Sequence, residues 1–137
     1  MNRFTCFLAI VCLLTYTLSG CGGGNASQVQ VITGESALFA QQEIENAMEV
    51  AMNHFRREFD GCTMTRIEYN EEKSAPAAAE WAQQYGAEEA IVLYSSFEVG
   101  ESGGDGSLNP NSTYNNWQWI LTRDAGGKWT LRTWGYG

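Results

Sequence analysis

The sequence predicts an α+β fold: one long amphipathic helix packed on a curved antiparallel sheet of about four strands, with a second short helix. Two observations carry that expectation. Ile44, Met48, Ala51, Phe55 and Phe59 recur at spacings of three and four, with Ala47 and Met52 beside them, which makes one apolar stripe along a helix. From Ala90 the period drops to two, so that Ile91, Leu93, Ser95, Phe97 and Val99 alternate with Val92, Tyr94, Ser96 and Glu98. A helix stripe and the face of a strand meander each need a cover, and each supplies the other's.

The chain opens on a segment of a different kind. Residues 1–20 hold one charged group, Arg3, and Phe4 to Leu18 is uncharged and largely apolar. That is the length of a secretory signal core and short of the ~18–20 residues a spanning helix needs. Leu18-Ser19-Gly20-Cys21 follows, an apolar residue, two small ones and a cysteine. This resembles the lipobox of bacterial lipoproteins; the alternative is an ordinary signal with a chance Cys. The resemblance implies cleavage before Cys21 and diacylglyceryl transfer to its sulfur. It places the chain on the extracytoplasmic face of the cell membrane, with the lipid bilayer as its first partner. Gly22 to Gln28 is a Gly/polar run, and residues 21–34 are expected to be a flexible tether. Seven such residues reach roughly 25 Å, which would leave a domain at 35–137 free to swivel.

The elements of that domain follow in order. A first strand is possible at Val29 to Ile32. For the long helix, Phe39 and Ile44 fit a hydrophobic staple and Glu43 fits the N3 position of a capping box, so the N-cap falls on Ala40, a poor capping residue. Ser36 competes for that role one turn earlier. The helix stops at Asp60-Gly61, with Gly61 placed as C′. Cys62 to Tyr69 is a strand, and the three-residue step from Met64 to Ile67 predicts a bulge in it. Ser74 to Tyr85 is the short helix, with Pro76 in its first turn, Gly86 after it, and Trp81 and Tyr85 on one face. Ala90 to Val99 is a strand, Gly100 to Ser112 a polar loop, and Tyr114 to Arg123 a strand with Trp117, Trp119 and Leu121 on one face. Asp124 to Gly127 is a hairpin connection, and Lys128 to Trp134 returns with Trp129 and Leu131 on one side.

This order resembles the cystatin-like and NTF2-like folds. The spacing Phe39…Glu43-Ile44…Phe55…Phe59-x-Gly61-Cys62…Tyr69, Ile91-Val92-Leu93-x-Ser95-x-Phe97 and Trp117-x-Trp119-Ile120-Leu121-x-Arg123…Gly127-x-Trp129 is similar to that of a group of uncharacterised secreted lipoproteins of Gram-positive bacteria. It covers about residues 35–137 and consists of core and turn residues, so it speaks to fold and location and hardly to activity.

Charge and cysteines narrow the function classes. With residues 1–20 removed, 16 acidic side chains stand against seven basic ones, a net charge of −9. Such a domain repels nucleic-acid phosphates and anionic headgroups. Of the four cysteines, Cys6 and Cys12 leave with the signal and Cys21 is consumed by the lipid, so Cys62 remains as a free thiol. The domain must then be held by its core alone, for which roughly 105 residues suffice.

No motif frames a catalytic centre. His54 and Cys62 are the one His and the one free Cys of the mature domain, and a Cys–His pair would be nucleophile and base; each also fits as a half-buried or core residue. Glu58 lies near the apolar stripe, where a buried carboxylate would serve as acid or base; the alternatives are the stripe's rim or a pair with Arg66. Glu101-Ser102-Gly103-Gly104-Asp105-Gly106 is a faint calcium-loop pattern that fails at positions 3 and 12, Gly103 and Ser112, so neither metal nor cofactor is expected. The sequons at Asn25 and Asn111 are read as loop chemistry. Aromatics concentrate at the end of the chain. Strand parity puts Trp134 and Tyr136 opposite Trp129 and Leu131, facing out or lining the mouth as candidate ligand-binding residues.

Two functions are therefore expected to compete. One is a non-enzymatic, membrane-tethered accessory domain of the cell envelope that binds a protein, peptide or glycan. The other is a small NTF2-like enzyme with His54 or Glu58 as the acid–base residue in a pocket between helix and sheet.

Overall fold

The structure, a computed structural model, describes residues 23–136. The expected signal and Cys21 lie outside the described residues. The elements are β1 (Gln30–Ile32), α1 (Gln41–Glu58), β2 (Cys62–Glu68), α2 (Glu71–Tyr85), β3 (Glu89–Val99), β4 (Thr113–Arg123) and β5 (Thr130–Gly135). They form an α+β fold around one five-stranded sheet of order β1-β2-β3-β4-β5, which is not closed. β1 runs parallel to β2 and the other pairs are antiparallel, so the sheet is mixed and has one strand more than expected. A parallel neighbour needs a crossover, and α1 is that crossover.

The stripe of α1 does what its spacing requires. Ile44, Ala47, Met48, Ala51 and Phe55 are fully buried against Met64 and Ile67 of β2, Ile91, Leu93 and Phe97 of β3, and Trp119 and Leu121 of β4. Each large apolar side chain so buried is worth about 1.5–3 kcal/mol. The helix begins where the capping box places it. The Glu43 carboxylate accepts from the Ala40 N–H at 2.9 Å; Ala40 has no side-chain oxygen to return the bond, and its carbonyl accepts from the Glu43 N–H at 3.0 Å. Ser36 caps the turn before the helix instead, accepting from the N–H groups of Leu38 and Phe39 at 3.1 and 2.9 Å.

The second helix differs from its expected start. It begins at Glu71, not Ser74, because Asn70 caps it by accepting from the Lys73 N–H. β2 stops pairing with β3 at Glu68–Tyr94, and Ser74 Oγ takes up the Val92 N–H at 3.0 Å beyond that point. α2 thus covers the side of the sheet away from α1: the Tyr94 hydroxyl donates to the Lys73 carbonyl, and the Arg132 guanidinium lies over Tyr85 at 5.5 Å. That explains why Val92 and Ile120, on the face away from α1, are buried.

Strict alternation fails three times, each time at a spacing of three. The bulge between Met64 and Ile67 falls where expected. A second lies on β4, where Asn115 and Asn116 stand opposite Ser96 and Asn116 takes a φ of 57°. A third lies on β5, where Leu131 faces Leu121 and Thr133 faces Ile120, leaving Arg132 unmatched. Each bulge returns an apolar residue to the face that carries α1: Ile67, Trp117 and Trp134.

The described part of the expected tether is not free. The Gly24 N–H donates to the Arg56 carbonyl at 3.0 Å, the Gly61 N–H to the Gly23 carbonyl at 3.3 Å, and Asn25 bridges Thr63 of β2. Ala26 is buried in the core. Gly24 permits this close approach, since a Cβ there would sit 2.6 Å from the Phe55 carbonyl oxygen.

Candidate functional site

At the C-terminal end of α1 the helix, the 100–112 loop and the ends of β4 and β5 enclose a cleft of about 310 Å³. His54, Glu58 and Phe59 line one wall, Trp117 and Trp134 another, and the loop from Gly104 to Leu108 closes the third. The loop is shaped by Gly103, at a φ of 69°, whose carbonyl accepts from the N–H groups of Gly106 and Leu108. Asp105 accepts from the N–H and hydroxyl of Ser107, so its carboxylate is committed to the turn. The faint calcium pattern resolves into this turn; among the described residues no three His, Cys, Asp or Glu groups are gathered as a metal would need.

His54 is boxed by rings. Its imidazole lies 4.2 Å from Trp134, 6.1 Å from Trp119 and 6.3 Å from Phe59, centroid to centroid. Burial holds its pKa below the usual histidine value, against the pull of nearby Glu58, and Arg57 adds to the lowering. The ring is therefore neutral at pH 7. Its Nε2 is shielded from solvent and makes no hydrogen bond among the described residues. The indole Nε1 of Trp117 is in the same condition. Two buried nitrogens without partners on one cleft stand out, because such groups cost about 1–3 kcal/mol each.

The remaining candidates separate. Trp134 is not on the outer face: the β5 bulge pairs it with Trp119, so it shares the α1 side with Leu131 and remains 41% exposed at the rim. Tyr136 is 61% exposed and packs against Tyr114 and Trp117 at 5.4 and 5.5 Å, extending the aromatic strip. Cys62 does not join the cleft. It is 1% exposed, its thiol donates to the Asp60 carbonyl at 3.6 Å, and burial together with the Asp60 and Asp105 charges pushes its pKa up. The thiol is thus kept protonated, and no hydrogen bond joins it to His54. Glu58 is exposed on the rim rather than buried, and Arg66 pairs with Glu68 at 2.8 Å instead.

A larger cavity of about 650 Å³ lies at the other end, between residues 32–37 and 68–72. Its central carboxylate, Glu71, is fully engaged by Ser36 Oγ, the Ala37 and Leu38 N–H groups and the Tyr69 hydroxyl. These bonds hold the Glu71 pKa below the usual carboxylate range and tie the 34–38 segment to α2. For Glu71 that is fastening.

The chain matches no family model, no curated protein and no solved structure. The cleft's loop wall, Asp105 to Leu108, has no place in the sequence expectation as a binding element. The signal that points to the aromatic wall is the spacing of three in Tyr114/Trp117 and Leu131/Trp134, each bracketing two polar residues.

Proposed function

We propose that this chain is a membrane-anchored lipoprotein of the cell envelope whose folded part is a binding module, with the aromatic cleft as its site. The cleft carries the reading: Trp134 stands exposed at its rim, and His54 Nε2 and Trp117 Nε1 lie unpartnered among the described residues in its walls. Concave, largely apolar sites with a few polar groups are how small ligands are held. His54 has neither a nucleophile nor a carboxylate hydrogen-bonded to it, which favours recognition over proton transfer. A long helix on one face of a bulged sheet supports the cystatin-like or NTF2-like reading of the fold. The parallel β1 and the helix on the far face depart from it.

The anchor rests on Leu18-Ser19-Gly20-Cys21. It is tested by detergent phase separation of cells expressing the full chain. Cys21→Ala is expected to move the protein out of the detergent phase or to stall its processing; partition equal to the unaltered chain overturns the anchor. For the site, Trp134→Ala is expected to weaken partner binding by about tenfold or more.

A further inference from the structure

We infer that the cleft takes a neutral sugar ring; the inference rests on the cleft being the binding site. Three groups of the wall define the ligand's chemistry. The exposed Trp134 ring offers a flat apolar platform at the rim, with Trp117 in the same wall and Tyr136 edge-on to Trp117 at 5.5 Å. Sugars present one face of C–H groups to such a platform and their hydroxyls at the edge. Glu58, on the facing wall, makes no hydrogen bond or ion pair among the described residues, so its carboxylate is free to accept from hydroxyls. The Trp117 indole N–H can only donate, and it needs an acceptor oxygen.

The same groups disfavour anions and quaternary ammonium ions. An anion would face Glu58 and Asp105 on a chain of net charge −8. A quaternary ammonium would find rings and a carboxylate, as in an aromatic cage, yet it has no acceptor for the Trp117 N–H and would lie against that group's positive hydrogen. A polyol has both donors for Glu58 and acceptors for Trp117 and for a neutral His54. Both ring nitrogens are shielded from solvent, and Trp134 lies on the His54 imidazole at 4.2 Å, so direct contact with them requires the cleft walls to shift.

The test follows the indole N–H resonances of the full chain in a polyoxyethylene detergent, which carries neither sugar nor charge. The probes are neutral oligosaccharides of glucose, mannose, galactose, xylose and N-acetylglucosamine, a trimethyllysine peptide and a heparin oligosaccharide, each at millimolar concentration. At least one neutral oligosaccharide is expected to shift the Trp117 and Trp134 signals while Trp81, stacked on Tyr85 of α2, stays unmoved. Trp134→Ala and Glu58→Ala are each expected to weaken that binding about tenfold, with unfolding midpoints recorded to show that the fold survives. Shifts with the peptide or heparin and none with any neutral sugar overturn the sugar assignment and leave the cleft as the site. Sugar-induced shifts confined to Trp81 or Trp129 overturn the location. Silence of both cleft indoles toward every probe overturns the assignment and the site together.

Discussion

The two ends of α1 are built on opposite plans. At its N-terminal end the charged groups around Arg123 answer one another. Arg123 bridges Glu43 at 3.1 Å and Glu89 at 2.6 Å, lies 4.3 Å from the Trp129 ring, and Trp129 Nε1 donates to the Glu43 carbonyl at 2.9 Å. The C-terminal end holds His54 and Trp117 with nitrogens unmatched among the described residues, and a tryptophan half in water. A domain without a disulfide among its described residues puts its fastening where partners are complete. On the proposed function, the incomplete end is the one that would receive a ligand. Natural folds break local rules where function requires it, and here the break is confined to one end of one helix.

Substitutions can break or sharpen this contrast. Phe55, in the last turn of α1, packs beneath the C-terminal end against Phe59, Phe97 and Trp119. Phe55→Ala is expected to cost about 3–5 kcal/mol in denaturant unfolding; a loss below about 1 kcal/mol would mean that the stripe does not carry the core. Arg123→Met should cost about 1–2 kcal/mol, because both partner carboxylates are partly exposed and rehydrate. If it costs less than His54→Gln under the same conditions, the fastened end is not the one described. Ala40→Ser should stabilise by about 0.5–1 kcal/mol, since a hydroxyl there supplies the cap acceptor that alanine lacks. An unchanged thermal midpoint would place the helix start elsewhere.

The smallest effect concerns pH. His54 has a folded pKa below its ordinary 6.5, so the unfolded chain takes up its proton first. The stability that the neutral ring contributes is fully present above pH 6.5 and is lost as pH falls from there through the depressed folded value. His54→Gln should flatten the stability profile in that window. Glu43 and Glu71, held below the usual carboxylate range, lose their contribution only at lower pH. A His54→Gln profile parallel to the unaltered chain between pH 6.5 and the carboxylate range would show that the imidazole is not desolvated.

Much of the fold was legible because its signals are redundant. The α1 stripe, the cap at Ala40, the Met64/Ile67 bulge and the two-residue period of β3 each rest on several residues that agree. What escaped rests on single polar residues. Asn70 starts α2 a turn before Ser74, and nothing apolar marks the difference. The far face of β3, with Val92 beside Tyr94 and Ser96, is ambiguous in pattern until α2 is seen to cover it. The site was half legible: His54, Glu58 and Trp134 were candidates and do meet. Parity carried through Arg132 sets Trp134 opposite Leu131, but the ladder skips that residue and the two share a face, so Trp134 lines the mouth and does not face out. Aromatic residues suit either face of a strand, so a bulge that moves one leaves no hydropathic trace.

The fastening of Gly23 and Gly24 to the end of α1 changes what an acyl chain on Cys21 would accomplish. One residue, Gly22, separates Cys21 from Gly23, where the backbone is held by Asp60 and Gly61 and, one residue on, by Arg56; the two steps span ~7 Å at full stretch. Gly61 and Gly104 approach Ser102 and Asp60 at this same end, so the cleft loop hangs beside the leash. The domain would stand on the bilayer with its cleft end down, like a lamp on a short stem. Its catch would then be set by surface density rather than bulk concentration, and molecules that lie within a few ångströms of the headgroups would reach the cleft before those that drift past above it.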